Sequence, residues 1–506
     1  MRSRSLPSGG RRQGWCAKTA PAKSYKTFFI RCFLLLLAPW IIQLLVCPPD
    51  HIPVGLFGGE ADYFTFLAKT EWGRLGHWTW ENLFTSEPTE PVRAYYFYLF
   101  LGHIAKWVDL SSAWVIQIAR SLLGAVFLTL WWKICRRTEY PKTVFALGIW
   151  AGLGFFAHLN DRMAYLESCI QGHAARTGLI GFPHYLLDGI GFLLMVDSYL
   201  ERKSAARFFL SGLLIGMAHP FLLPLVPTAL FIHTVIYERK KIKEAFLCCL
   251  AAAVGGLVFS LPLFLDYLHI AWLRTWREQT GTGFHAWEHL YLVSLTFGLA
   301  GVLAWAAVPR MLKPGRDKLK QVSAVWLLTA GILAVSAPLP NSREYNMFLS
   351  LPVAVLSAPM IYGLAVRINS HRVAVLTVVF CCAFGAISTA DMLVGSLFNP
   401  NTWVSSGFME GAKYLEEHSS PGDVAACSLR TGNRLVYFTR RPRPYLAHVC
   451  ETLDVERKKK EIQAFFMEGR ALDVQWAVVS KEWDPEFAYP QGEPVFENDA
   501  VKIYRP

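Results

Sequence analysis

At 506 residues, 53% of them hydrophobic and only 17% charged, the chain is too apolar for an ordinary soluble protein. A net charge of +12 would suit nucleic acid, but the basic residues sit in short segments between apolar runs. That is the pattern of membrane-protein loops, and it excludes a nucleic-acid partner. The eleven cysteines form no CxxC pair and no Cys/His spacing suited to zinc.

Residues 1–26 are a polar, basic tail, and 27–46 are apolar. The apolar run is too long for a signal-peptide core and lacks a small-residue cleavage site. It predicts an uncleaved first span with the N-terminus inside. A first outer loop, 48–112, follows and carries Glu60 and Asp62, the first carboxylates to stand at a membrane edge. Gly58-Gly59 just before them predicts a non-helical approach, which would set both carboxylates on one side. The aromatic residues of this loop, Trp72, Trp78 and Trp80 among them, predict interfacial anchoring.

The next apolar run, 95–108, is short of spanning length and predicts a helix lying flat at the interface. That choice keeps Lys133, Arg136, Arg137 and Lys142 inside. Spans follow at 114–132, 143–159, 182–200, 208–237, 245–265, 290–308, 322–337, 348–366 and 373–397. The 30-residue run 208–237 divides in two at His219-Pro220, because proline breaks a helix. The result is about eleven spans with the strong Lys/Arg clusters on one side. Cys248-Cys249 and Cys381-Cys382 fall inside apolar runs, as small core-facing residues.

Residues 399–506 change character and predict a small α/β domain outside the membrane. Helices are expected at 404–418 and 453–466, and strands at 424–428, 434–438, 474–480 and 501–504. The domain has no glycine-rich nucleotide fingerprint and no P-loop. Its basic run 457–460 predicts a solvated helix face. Cys427 and Cys450 lie where an oxidising compartment would let them pair.

This topology collects ionisable residues on the outer side: Glu60, Asp62, Asp161, Arg162, Glu167, His173, Arg176, His184, His219, Arg274, Arg277, Glu278, Arg343 and Glu344. Charged groups at membrane depth are costly, so their concentration at span ends predicts a shared cavity. A carboxylate at a dry membrane edge is poised as a general base for a hydroxyl or amine. Arg274 and Arg277 suit a phosphate, whose oxygens match the guanidinium fork. Asp188 is expected to find a polar partner within the bundle.

The order of parts is one span, an acidic first loop, a flat helix, many spans and an outer domain. With the pieces GEADYFTFLAKTEWGRLGHWTWENLFTSEP, GLLIGMAHPFLLP, EGAKYLEEHSSPGDV and AHVCETLDVERKKKEIQAFF, it resembles the GT-C superfamily of membrane glycosyltransferases. The resemblance implies a polytopic α-helical membrane protein of a bacterial cytoplasmic membrane, with residues 27–398 as the membrane domain. It implies a sugar donor on polyprenyl phosphate, a lipid, glycan or protein acceptor, membrane lipids as surroundings, and a site facing outward. Asp62 or Glu60 would be the base, Asp62 by preference because the likeness aligns best at the Asp-Tyr step. Glu87 and His219 would follow as substrate-binding residues, joined by His184, Arg274, Arg277 and Arg343 from the outer side. Some members use a divalent metal such as Mg or Mn, and others do not. Two other classes fit the same residues: a transporter or flippase of a lipid-linked saccharide, which broken helices would suit, and a non-catalytic assembly protein.

Overall fold

The computed structural model describes residues 22–55, 60–152, 174–201, 204–280, 286–336, 345–398, 400–487 and 492–506. Helix α1 (Ala22–Val46) has 25 residues, about 37 Å at 1.5 Å per residue and enough to cross a hydrocarbon core. Pro48-Pro49 end it, and a short strand, β1 (His51–Pro53), leads into the first loop.

Helix α2 (Glu60–Arg74) then begins at the first carboxylate. This corrects the extended approach expected from Gly58-Gly59, which themselves lie outside the described residues. Acidic residues suit a first helical turn, where unpaired N–H groups and the positive end of the dipole favour negative charge. On a helix, residues two apart diverge, so Glu60 and Asp62 do not share a face. The side chain of Glu60 lies outside the described residues.

Residues 75–95 return in irregular backbone, pinned by reciprocal N–H to carbonyl bonds of 2.8 Å between Trp80 and Val92. Helix α3 (Tyr96–Val108) matches the short run expected at 95–108. Ser111 caps α4 (Ser112–Cys135) by accepting from the Trp114 N–H. Helix α5 (Pro141–Trp150) covers the first part of the run expected at 143–159, whose end lies outside the described residues.

Helices α6 (Ala174–Ile180) and α7 (Pro183–Glu201) follow. The run 208–237 is divided at His219 into α8 (Ala205–Ala218) and α9 (Leu225–Tyr237), with a 3₁₀ turn at Pro220–Leu222 between them. Then come α10 (Ile242–His269), α11 (Ala271–Thr280), α12 (Ala286–Met311), α13 (Lys318–Ser336), α14 (Ser350–Arg367) and α15 (His371–Phe398). Helix α8 lies backbone to backbone on α10: a Cβ on Gly212 would stand 1.9 Å from the Ala252 carbonyl oxygen, and one on Gly255 2.1 Å from that of Phe209. Such small-residue contacts are how helices pack where no water drives them together.

Among the described residues, six stretches are long and apolar enough to cross a membrane: Tyr25–Val46, Ser112–Cys135, Pro220–Tyr237, Arg239–His269, Ser350–Arg367 and His371–Phe398. Shorter apolar helices occupy Ala205–Ala218 and Thr296–Met311.

The C-terminal region begins with β2 (Trp403–Ser405), which pairs antiparallel with β1, Ile52 opposite Val404. The first loop and the tail therefore start side by side. After α16 (Ser406–His418) and β3 (Val424–Ala426) comes α17 (Leu429–Phe438), a helix where 434–438 was expected to be a strand. Ser428 caps it by accepting from Thr431 N–H, and α17 packs on α2, a tertiary demand that overrides local alternation.

Strand β4 (Arg443–Pro444), helix α18 (Val455–Glu468), and strands β5 (Trp476–Ser480), β6 (Phe496–Glu497) and β7 (Val501–Tyr504) complete the unit. The sheet order is β4-β3-β5-β7-β6, parallel in its first three strands and antiparallel in its last three. The basic run 457–460 is not wholly a solvated face, because Lys458 is buried. Cys427 is buried, Cys450 is exposed, and neither is in a disulfide.

Candidate active site

Helix α2 presents Asp62, Phe66 and Lys69 at spacings of four and three, one stripe along its length. A single turn of the tail, His448–Thr452, lies against that stripe. Its geometry is fixed from inside: the Glu451 and Thr452 N–H groups both donate to the His448 carbonyl, at 3.1 and 2.8 Å. It is also fixed from the first loop. Asn82 Nδ2 donates to the Glu451 carbonyl at 2.8 Å, and the Thr452 hydroxyl donates to the Phe84 carbonyl at 2.8 Å.

Two contacts join the stripe to the turn. The Cys450 N–H donates to His448 Nδ1 at 3.2 Å, which leaves the imidazole proton on Nε2. That Nε2–H donates to Asp62 Oδ1 at 2.9 Å. Two turns further along α2, Lys69 Nζ donates to Glu451 Oε1 at 2.7 Å and stands 3.4 Å from the centre of the Tyr95 ring. Burial pushes the Lys69 ammonium down from its ordinary pKa, and Glu451 restores only part of the difference. Asp62 differs from its neighbours in exposure. Its side chain is 57% exposed, against 6% for His448, 1% for Lys69 and 6% for Glu451. Among the described residues its second carboxylate oxygen has no partner.

Beneath Asp62 the stripe reaches the membrane helices. Phe66 stacks on Tyr98 at 4.4 Å and approaches the His184 ring at 4.8 Å. His184 Nδ1 pairs with the Tyr98 hydroxyl at 2.5 Å, and its ring lies 4.9 Å from that of His219. His219 Nδ1 in turn contacts Asp188 Oδ2 at 2.5 Å, the polar partner that Asp188 was expected to have. His184 and His219, distant in sequence, are thus neighbours, and α2 connects them to Asp62.

Glu87 is held elsewhere. Glu87 binds Lys458 Nζ at 2.6 Å and accepts from the Thr85 hydroxyl. Burial pushes its carboxyl up, but Lys458 and Thr85 outweigh that and hold it below the usual range. Glu87 is therefore placed between the first loop and α18, not beside Asp62. Ile270, just before helix α11, and Leu273 on it pack on the first loop, while Arg274 is exposed. Arg93 clasps Asp266, at the end of α10, with bonds of 2.6 and 3.0 Å. The side chains of Arg277 and Arg176 lie outside the described residues, as do Asp161, Arg162, Glu167, His173, Arg343 and Glu344. Among the described residues no three His, Cys, Asp or Glu side chains are grouped to hold a metal ion.

Opposite charges close the junction elsewhere too. Arg440 Nη2 binds Glu71 at 3.0 Å, and Arg443 pairs with Glu81. The residues that sequence reasoning did not single out are Lys69, His448 and Glu451. The last two belong to the HVCET segment, within one of the pieces that carried the resemblance, but nothing local marks them as partners of α2.

No protein-family model matches the sequence, and no curated protein matches it. Solved structures do. The oligosaccharyltransferase of Archaeoglobus fulgidus, crystallised with a tethered acceptor peptide containing the NVT sequon, is similar over 90% of this chain and 69% of its own, with a TM-score of 0.50 and 11% identity. ArnT from Cupriavidus metallidurans, in its apo state, is similar over 95% of this chain and 98% of its own, with a TM-score of 0.50 and 13% identity. At such identities the likeness is one of fold. The chain is a multi-pass membrane protein with the GT-C fold.

Proposed function

We propose that the protein is a membrane glycosyltransferase that moves a sugar from a polyprenyl-phosphate donor to a lipid, glycan or protein acceptor. In this reading residues 27–398 form the catalytic membrane domain of a bacterial cytoplasmic membrane. The N-terminus lies inside, and residues 399–506 cover the site on the extracytoplasmic face. The observation that carries it is Asp62, an accessible carboxylate with one oxygen open, held where the first loop, the tail and the membrane helices meet.

Asp62 takes the proton from the acceptor hydroxyl or amine as that atom bonds to the anomeric carbon. The bond from that carbon to the phosphate oxygen breaks on the opposite face, and polyprenyl phosphate leaves with the bonding electrons. The anomeric configuration inverts. Glu60 stands in the same first turn as a second carboxylate. Arg274, Arg277 and Arg343 are assigned to the phosphate, where fixed positive charge offsets the charge that develops as the bond breaks. His184 and His219 line the approach from the membrane, and Glu87 braces the loop. Most of the acceleration comes from alignment and from charges that need not reorganise.

The test is sugar transfer by the purified protein in proteoliposomes, with a radiolabelled sugar on polyprenyl phosphate. Label is expected to leave the lipid and appear on acceptor with inverted anomeric configuration. Movement of intact labelled lipid across the bilayer without transfer would identify a flippase instead.

A further inference from the structure

We infer that His448 is a positioning residue for Asp62, so that the tail contributes directly to the geometry of the site. This rests on Asp62 being the base. A carboxylate that is 57% exposed on the first turn of a helix has two free torsions and little to restrain them. The 2.9 Å bond from His448, which is 386 residues further along the chain, fixes Oδ1 and so aims Oδ2.

The donor itself is held in advance. Its tautomer is set by the Cys450 N–H, its ring edge meets Phe84 with centroids 6.3 Å apart, and its backbone turn is tied to Asn82 and Phe84 by the bonds described above. With Nδ1 accepting from the Cys450 N–H, Nε2 is the ring's donor, and its bond restrains Asp62 Oδ1 while Oδ2 stays open. A base needs that restraint: a carboxylate kept in one rotamer with one oxygen aimed at the acceptor.

Two amide substitutions separate positioning from scaffolding. His448→Gln places an amide nitrogen near the site of Nε2 and keeps the bond to Asp62. His448→Asn places an oxygen near Nδ1 and keeps the bond from Cys450 but loses Asp62. With the full-length protein in proteoliposomes, Asn and Ala are expected to lower kcat roughly 10- to 100-fold, with the donor KM within about twofold of wild type. Gln is expected to stay within about threefold of wild type in kcat.

Equal loss in Gln and Asn, or a wild-type rate in Ala, overturns the inference. A second readout does not depend on turnover. Melting temperatures of Asp62→Ala, His448→Ala and the double variant are expected to be non-additive, because the two side chains touch. A wild type that transfers no sugar would overturn the glycosyltransferase reading. The melting cycle would then still judge the pairing: additive changes overturn it, and coupled ones uphold it.

Discussion

Lys69 and Glu451 are both buried and lie 2.7 Å apart, with the Tyr95 hydroxyl 3.2 Å from the same Glu451 oxygen. A buried ion pair is weak evidence for net stability, because desolvation consumes most of the attraction. Losing one member is a different matter, since it leaves a charge without its counterion. Lys69→Met is expected to destabilise the protein by about 3–5 kcal/mol, measured by thermal unfolding in detergent. Lys69→Met with Glu451→Gln should recover most of that loss, because Gln is neutral yet still accepts from Tyr95. A double variant no more stable than the single one would show that the pair does not hold the turn in place. At this scale the sequence sets Glu60 and Asp62 together at a membrane edge, and the preference for Asp62 comes from the resemblance at the Asp-Tyr step. It is silent on Lys69, because the pairing depends on a residue more than 380 positions away.

Helix α2 is the element on which the site is built, and the sequence is misleading about it. Gly58-Gly59 and a scatter of aromatic residues suggest a loop, whereas the helix is recognised by its acidic first turn and by the stripe Asp62, Phe66 and Lys69. Helix α17 was obscured in the same way, because Leu435, Val436 and Phe438 suit a strand until Ser428 caps the segment and α2 covers it. The ends of the two helices meet around Glu71, which takes Arg74, Ser112 and Arg440. Burial pushes the Glu71 carboxyl up, but these partners outweigh it and hold it below its ordinary 4.5. A carboxyl depressed on folding contributes stability that is present above its unfolded pKa and lost as pH falls through the folded value. Melting temperature should therefore drop as pH is lowered below about 4.5, and Glu71→Gln should show less of that drop while melting lower at neutral pH. An identical pH dependence in the variant would remove Glu71 from this junction.

Over the whole molecule the apolar runs and the helix break at His219-Pro220 are legible in the sequence, because hydrocarbon and backbone geometry constrain them residue by residue. So is the small α/β region after residue 399. How the first loop and tail close on each other is not legible, since it depends on tertiary pairs such as Ile52 with Val404 and Arg443 with Glu81. A fold shared with two solved structures at 11% and 13% identity fits that division, because packing pattern survives changes of residue that a motif does not. In the proposed glycosyltransferase reading, function turns on one carboxylate, Asp62. The most direct measurement is kcat for sugar transfer from a polyprenyl-phosphate donor by Asp62→Asn beside the wild type and Glu60→Gln, each in proteoliposomes. The predicted result is a loss of roughly 10²–10⁴-fold in Asp62→Asn, a smaller loss in Glu60→Gln, and an unchanged donor KM. Wild-type turnover in Asp62→Asn would contradict it.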